Sequence, residues 1–496
     1  MEKSVELTVM RKLFAMGLCL VLAGGLVPAQ PKPNVLFILA DDLGWSDLGC
    51  TGSKLYQTPN IDRIAWNGIR FMNAYAANPL CSPTRASIMT GLWPSRIGIT
   101  TPNCHSPNEI LETYVNETAK PDLRAVAPVS ATRLKTEYET IAESFKKAGY
   151  ATAHIGKWHL GPEPYDPLHQ GFDVDIPHTP APSPLPNGYF APWPVYPGEG
   201  KTGDHLEDRM AEEAVAFIKA HADKPFLLDY WAFSVHSPWH TKQPLIEKYE
   251  ALVDPLNLQH NPVYAGMVEV LDDAVGRLLE ALEEEGILDH TIIIFFSDNG
   301  GWCWGASNHV HEEYKGMPQT SNAPLRGGKA NIFEGGVRVP LLVSWPGEIE
   351  PGTVDHKHIV SSVDIYPTLL DMCGIDPMDG QLFDGESILA AMKGGIFTRD
   401  EYFCHFPHYT PATGNIPASS VRKGDWKLIR FWYDNYDQSN RYELYNLRWD
   451  IGETTNLASL HPEKLEELTK LLDRYIEETH TLVPIANPDY LKFEKP

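Results

Sequence analysis

Short, unbroken apolar runs recur along the chain, separated by amphipathic helical patterns, and this alternation restricts the fold more than any other feature. Residues 34–40 read NVLFILA. A strand with no polar face must be covered on both sides, as in a mostly parallel sheet with helices packed on each face. Residues 226–235, 291–296 and 340–345 read the same way, while 139–148, 205–222 and 264–285 carry helical spacing with charged outer faces. The pattern predicts an α/β fold: a large mixed, mostly parallel sheet sandwiched by helices. Residues 160–204, rich in Pro, Gly and aromatics, read as a long loop decorating one face. After about residue 390 the pattern changes to a hairpin (425–433 and 442–447) and a helix at 462–478, predicting a smaller C-terminal α+β subdomain with an antiparallel sheet. No internal repeat or low-complexity tract interrupts this plan.

A chain of 496 residues exceeds one small domain. Its N-terminus places Arg11-Lys12 before an apolar run at 13–27 and a small-residue Val27-Pro28-Ala29 site, which reads as a signal peptide over residues 1–29. Met10 gives the better start, because Met10-Arg11-Lys12 lacks the acidic residues that precede it. The run is too short for a bilayer, and no later stretch is long enough to span one. The division expected is therefore 1–29 signal peptide, 30–390 catalytic domain and 391–496 C-terminal subdomain, in an exported, periplasmic or secreted protein. Removing residues 1–29 shifts the net charge from −24 to about −25. Such a chain repels polyanions at long range, which excludes nucleic-acid binding as its task. With Cys19 in the signal and Cys81 set aside, Cys50, Cys104, Cys303, Cys373 and Cys404 remain. Five is no disulfide framework, although it leaves room for one or two bridges.

Two acidic pairs stand at strand ends: Asp41-Asp42 after 34–40 and Asp298-Asn299 after 291–296. Open α/β sheets gather ligands outside the carboxyl ends of their strands, so the pairs can share one crevice. Three carboxylates and an amide oxygen suit Ca²⁺ or Mg²⁺. Read singly, an Asp-Asp after a strand is more often a turn or a helix cap.

Residues 81–91, CSPTRASIMTG, put Ser82 where an N-cap is expected and Pro83 at a first helical position. Cys81 then stands beside a helix N-terminus, where backbone N–H groups favour an anion, with Arg85 one turn on. The bland reading is a buried cysteine before a helix. The whole segment nevertheless resembles the maturation signature of the type I sulfatases, in which the cysteine of Cys-x-Pro-x-Arg is oxidised to Cα-formylglycine. Residues 149–159, GYATAHIGKWH, resemble that family's second signature and contribute Lys157 and His159. On their own these would read as an exposed lysine and a satisfied histidine. SVHSP places His236 at another strand end, PLRGGK carries Lys329, and FEGGVRVP (333–340) also looks like sulfatase sequence, as do GDWKLIRF, ELYNL and ETTNL between 424 and 457.

The resemblance implies an alkaline-phosphatase-like scaffold and a set of roles. Asp41, Asp42, Asp298, Asn299 and the modified Cys81 would hold a divalent cation, usually Ca²⁺ with Mg²⁺ possible. Arg85 and Lys157 would stabilise the modified residue, Lys329 and His236 would bind sulfate, one or the other of these two would protonate the leaving alcohol, and His159 would remove the proton of the second hydroxyl. A sulfate monoester shields its sulfur with negative charge, so cations around its oxygens matter more than a strong base. Trp239, His240, Trp302, Trp304, His309 and His311 supply aromatic faces and polar tips suited to a carbohydrate, or equally to anchoring loops. The partners expected are a sulfated polysaccharide or glycosaminoglycan-derived sugar and a maturation enzyme. The sequon Asn116-Glu117-Thr118 leaves a eukaryotic secretory origin open. Competing readings are a phosphomonoester or phosphonate hydrolase on the same scaffold, and a non-catalytic sulfoglycan-binding protein in which Cys81 stays a thiol.

Overall fold

The computed structural model describes residues 32–185, 187–305 and 311–490. The expected signal peptide and His309 lie outside the described residues. One compact unit begins at Pro33. Its central sheet contains eight strands: β1 Asn34–Ala40, β2 Ile69–Phe71, β3 Ala151–Gly156, β4 Val174–Ile176, β5 Phe226–Trp231, β6 Thr291–Ser297, β7 Leu341–Ser344 and β8 Thr353–Asp355, in the order β8-β2-β7-β6-β1-β5-β3-β4. From β6 to β4 every pairing is parallel, with β1 in register between β5 and β6. β7, expected as a buried strand of this mixed sheet, runs antiparallel to both β6 and β2. An apolar run says that a strand is buried, not which way it points.

The sheet is covered on both faces, as its unbroken apolar strands require. Leu36, Ile38 and Ala40 of β1 pack with the inner faces of α4 (Leu206–Ala220) and α6 (Pro262–Glu284), while Val35, Phe37 and Leu39 pack toward α2 (Cys81–Thr90), α3 (Ile141–Lys147) and α7 (Ile365–Cys373). The remaining helices used in this numbering are α1 (Pro59–Trp66), α5 (Gln243–Glu250) and α8 (Pro462–Glu478). Each buried aliphatic side chain of β1 contributes about 1.5–3 kcal/mol. Start signals are explicit: Asn261 Oδ1 accepts from the N–H groups of Val263 and Tyr264 ahead of α6, and Thr140 and Glu143 form a capping box on α3. α2 ends at Gly91, whose φ of +68° lets its N–H reach the Ser87 carbonyl.

Within residues 160–204 the expected loop contains β4, which forms one edge of the main sheet, and a short 3-10 turn, Pro167–Gln170. The C-terminal segment forms an antiparallel sheet, β9 Glu401–Phe406, β10 Ala418–Lys423, β11 Trp426–Phe431 and β12 Arg441–Asn446. α8 lays Leu468, Leu472 and Tyr475 onto it. The six described cysteines are all free, so the bridges left open by the sequence do not form here. Among the described residues, no helix is long and apolar enough to cross a membrane.

Candidate active site

The ends of β1, β5 and β6 meet because their backbones continue to bond past the strands: Asp41 N–H donates to Ser234 O, Val235 N–H to Asp41 O, and Asp298 N–H to Ala40 O. Both acidic pairs and the His236 loop therefore share one crevice. Asp42 sits at φ +67°, a left-handed conformation uncommon for a non-glycine residue, which re-aims its carboxylate after the strand.

α2 starts at Cys81, two residues earlier than its sequence signals suggest. Ser82 does not cap it; the Ser82 hydroxyl donates to the His159 carbonyl at 2.7 Å, a partner 77 residues away that local sequence does not show. Cys81 is 1 % exposed, and its Sγ lies 3.5 Å from Asp41 Oδ1. One ligand atom from each of Asp41, Asp42, Cys81 and His236 falls within 4.8 Å of the others.

Each site carboxylate has its own cation. Lys157 Nζ donates to Asp41 Oδ2 at 2.6 Å, Lys329 Nζ to Asp42 Oδ2 at 2.7 Å, and Arg85 Nε to Asp298 Oδ2 at 2.9 Å. The Arg85 guanidinium also bonds the Lys157 carbonyl and lies over the Trp231 ring. The exposed lysine that Lys157 would have been in isolation is instead fully buried. Asn299 donates to Asp42 Oδ1 at 2.9 Å, but its own Oδ1 is buried with no hydrogen-bond partner. An amide oxygen left bare among three carboxylates fits a hard cation, since leaving it unmatched costs about 1–3 kcal/mol.

Burial pushes the Cys81 thiol up to about 12, against the pull of Lys157 and Lys329. A neutral thiol is a poor nucleophile. Burial, with Asp41 adding to it, raises Asp298 to about 6 in spite of Arg85. Burial also pushes Asp42 upward, but Lys329, His236 and Lys157 outweigh it and hold the carboxyl below the usual range. His236 is driven down to about 3 by burial and Lys329, and His159 well below its ordinary value by burial and Lys157. His236 Nδ1 lies 2.7 Å from the Ser237 carbonyl, which can only accept, so Nδ1 carries the proton and Nε2 faces Asp42 Oδ2 at 3.8 Å.

The structure thus brings together Asp41, Asp42, Cys81, Arg85, Lys157, His236, Asp298, Asn299 and Lys329, with His159 tied to them through Ser82 and the electrostatic pull of Lys157, Arg85 and His236. The expected sugar-contacting residues also gather. Trp302 packs 6.2 Å from Trp239 and 5.3 Å from Trp304, and His240 packs 5.7 Å from His311 and 4.6 Å from Phe190, ring centre to ring centre. Two residues escaped the sequence reading. His105, exposed in the loop after α2, places Nδ1 2.9 Å from His159 Nε2. Glu207, buried on α4, accepts from the Ser234 N–H at 2.8 Å and supports the His236 loop. Neither lies in a motif, and only the folded chain brings them near.

Charge arranged in this way grips an anionic ester, so the fold and site define a hydrolase of that class. A family model described as Sulfatase matches residues 33–375, and one described as N-sulphoglucosamine sulphohydrolase, C-terminal, matches residues 328–481. The chain is 33 % identical to the N-acetylgalactosamine-6-sulfatase of Canis lupus familiaris over 473 residues, covering 90 % of this chain and 80 % of that one. It is 32 % identical to human arylsulfatase A over 503 residues, covering 92 % and 89 %. The crystal structure of Ps i-CgsB in complex with k-i-k-neocarrahexaose superposes with a TM-score of 0.72 at 26 % identity, covering 93 % of this chain and 94 % of that one. The chain belongs to the sulfatase family. It is a sulfuric ester hydrolase, and membership implies a formylglycine and a divalent metal ion.

Proposed function

We propose that the enzyme removes sulfate from a sulfated sugar of a polysaccharide or glycosaminoglycan, using a formylglycine made from Cys81 and a Ca²⁺ ion held by Asp41, Asp42, Asp298, Asn299 and residue 81. The observation that carries this reading is the convergence of Cys81 Sγ with oxygens of Asp41 and Asp42 and a nitrogen of His236 within 4.8 Å. When bound, these groups supply the nucleophilic hydroxyl and the Lewis acid. The protein's own residues do the rest. Arg85 and Lys157 sit against the carboxylates beside residue 81 and offset the charge that gathers there. Lys329 Nζ and His236 Nε2 both face Asp42; Lys329 holds a sulfate oxygen as the ammonium, His236 does so once the bound anion has brought a proton to Nε2, and one of them returns a proton to the leaving alcohol. His159 Nδ1, buried and without a hydrogen-bond partner, takes the proton whose removal frees the product.

Similarity to an N-acetylgalactosamine-6-sulfatase and to a neocarrahexaose-bound structure supports a sugar substrate. The aromatic group of Trp239, Trp302 and Trp304, with His240 and His311, forms its wall. We place the enzyme outside the cytoplasm, after removal of residues 1–29 and action of a maturation enzyme on Cys81. The test is sulfate release by matured protein from a panel of defined sulfated oligosaccharides, beside an aryl sulfate and the matching aryl phosphate. Release from at least one oligosaccharide with aryl sulfate preferred is expected; clear preference for the phosphate would overturn the reading.

A further inference from the structure

The segment from Pro324 to Val337 touches three parts of the site. Lys329 Nζ bonds Asp42, the Ala330 N–H donates to Pro79 O two residues before Cys81, and the Gly336 carbonyl accepts from Gly300, the neighbour of Asn299. The approach to Gly300 is so close that a Cβ there would lie 1.8 Å from the Gly335 carbonyl oxygen. Within the segment, the Gly335 N–H donates to the Arg326 carbonyl at 2.8 Å and the Phe333 N–H to Asn331 Oδ1 at 3.3 Å, ahead of a four-residue helix, Glu334–Val337.

Further ties come from the C-terminal segment. Thr413 Oγ1 donates to the Ala330 carbonyl at 2.8 Å, and Lys427 Nζ on β11 donates to the Ile332 carbonyl at 3.2 Å. Lys427 also pairs with Glu334 at 3.0 Å and Glu453 at 2.9 Å. Glu453 Oε2 accepts from the Glu334 N–H at 2.7 Å, and its carbonyl accepts from Arg326 at 3.1 Å. Lys427, Glu334 and Glu453 are at most 1 % exposed. Ala330, Ile332 and Val337 share one apolar cluster with Val421, Leu428 and Leu444 of the C-terminal sheet. GDWKLIRF and ETTNL, two of the motifs left without chemistry, thus supply one cation and one carboxylate to the same buried cluster.

We propose that Lys427 and Glu453 are positioning residues for Lys329, holding the 324–337 segment so that the lysine reaches the sulfate site. Without the Lys427 ammonium, Glu453 loses its cation while Glu334 keeps the Tyr75 hydroxyl at 2.7 Å and Arg338 at 3.4 Å, so the buried pair is short of one positive charge and the segment is driven away from β11. That movement withdraws Lys329 from Asp42. This inference rests on the sulfatase reading, and the experiment separates the two.

Matured wild type, Lys427→Met, Lys329→Ala and the double variant are assayed at 25 °C on an aryl sulfate, and the unmatured proteins are treated with an amine-acylating reagent followed by peptide mass mapping of Lys329. Lys427→Met lowers kcat/KM on the order of tenfold to a hundredfold. The same change in the Lys329→Ala background costs less than about twofold, because the residue it positions is gone. Lys427→Arg restores most of the loss, and Lys329 is acylated faster in Lys427→Met than in wild type. Losses that multiply in the double variant, or an unchanged acylation rate, overturn the proposal. If Lys427→Met fails to fold, Glu453→Gln, which keeps volume and an acceptor while removing charge, carries the same comparisons. A wild type inert on sulfate esters would sink the sulfatase reading, while the acylation arm would still decide whether Lys427 positions Lys329.

Discussion

Lys157→Met tests whether the site is a set of matched charges. Lys157 Nζ lies 2.6 Å from Asp41 Oδ2, with both side chains fully buried. Methionine keeps the length and apolar stem but leaves Asp41 with only Arg85, whose nearest nitrogen is 3.7 Å away. Removing one partner of a buried pair costs about 3–5 kcal/mol. Unfolding entropy scales with length, so a chain of this size changes its Tm by roughly 1 °C per kcal/mol. Differential scanning calorimetry in a chelating buffer should therefore show the variant melting about 3–5 °C below wild type. Added Ca²⁺ should raise the variant more than it raises wild type, because an ion beside Asp41 replaces the missing charge. A variant that melts within about 1 °C of wild type without metal would refute the matched-charge account, and equal responses to Ca²⁺ would remove Asp41 from the ion's ligands.

Asn299→Leu removes the bare amide oxygen and should weaken Ca²⁺ binding by about tenfold or more in calorimetric titration while leaving the fold intact. Cys81→Ala and unmatured wild type should be equally inactive; robust sulfate release by demonstrably unmodified protein would rule out the formylglycine route. His405 is buried between Ser419 Oγ and the Leu482 carbonyl, and burial lowers it to about 4, below the roughly 6.5 of an unfolded histidine. The unfolded chain then takes up the proton first, so this stability is present above about pH 6.5 and lost as pH falls toward 4, amounting to about 3 kcal/mol. In urea unfolding at pH 7 and pH 5, His405→Gln should show a shallower pH dependence than wild type.

Much of this architecture can be read from the chain because its signals are local. The apolar period of 34–40 and 291–296 marks buried strands, and the acidic pair after each marks a strand end. The helix expected at 462–478 is observed as Pro462–Glu478 because its Pro at N1 and its spacing are both local. What escaped depends on partners distant in sequence. Ser82 has every local mark of an N-cap, yet the His159 carbonyl outcompetes that role. The antiparallel course of β7 depends on β2 and β6 rather than on its own residues. His105 and the Lys427 cluster act across gaps of 54 and 93 residues, and no periodicity within either segment announces the other end.

The depth of Cys81 sets an order of events. α2 is buried along its whole length, from Cys81 to Thr90. An enzyme acting on this residue would have to reach a side chain that is 1 % exposed at the start of a buried helix. On the proposed formylglycine route, the oxidation would therefore come before β1 and β6 close over the site, in competition with folding itself. On that route a molecule that folds first keeps its thiol, so a slower-folding variant should be more completely matured than a faster-folding one.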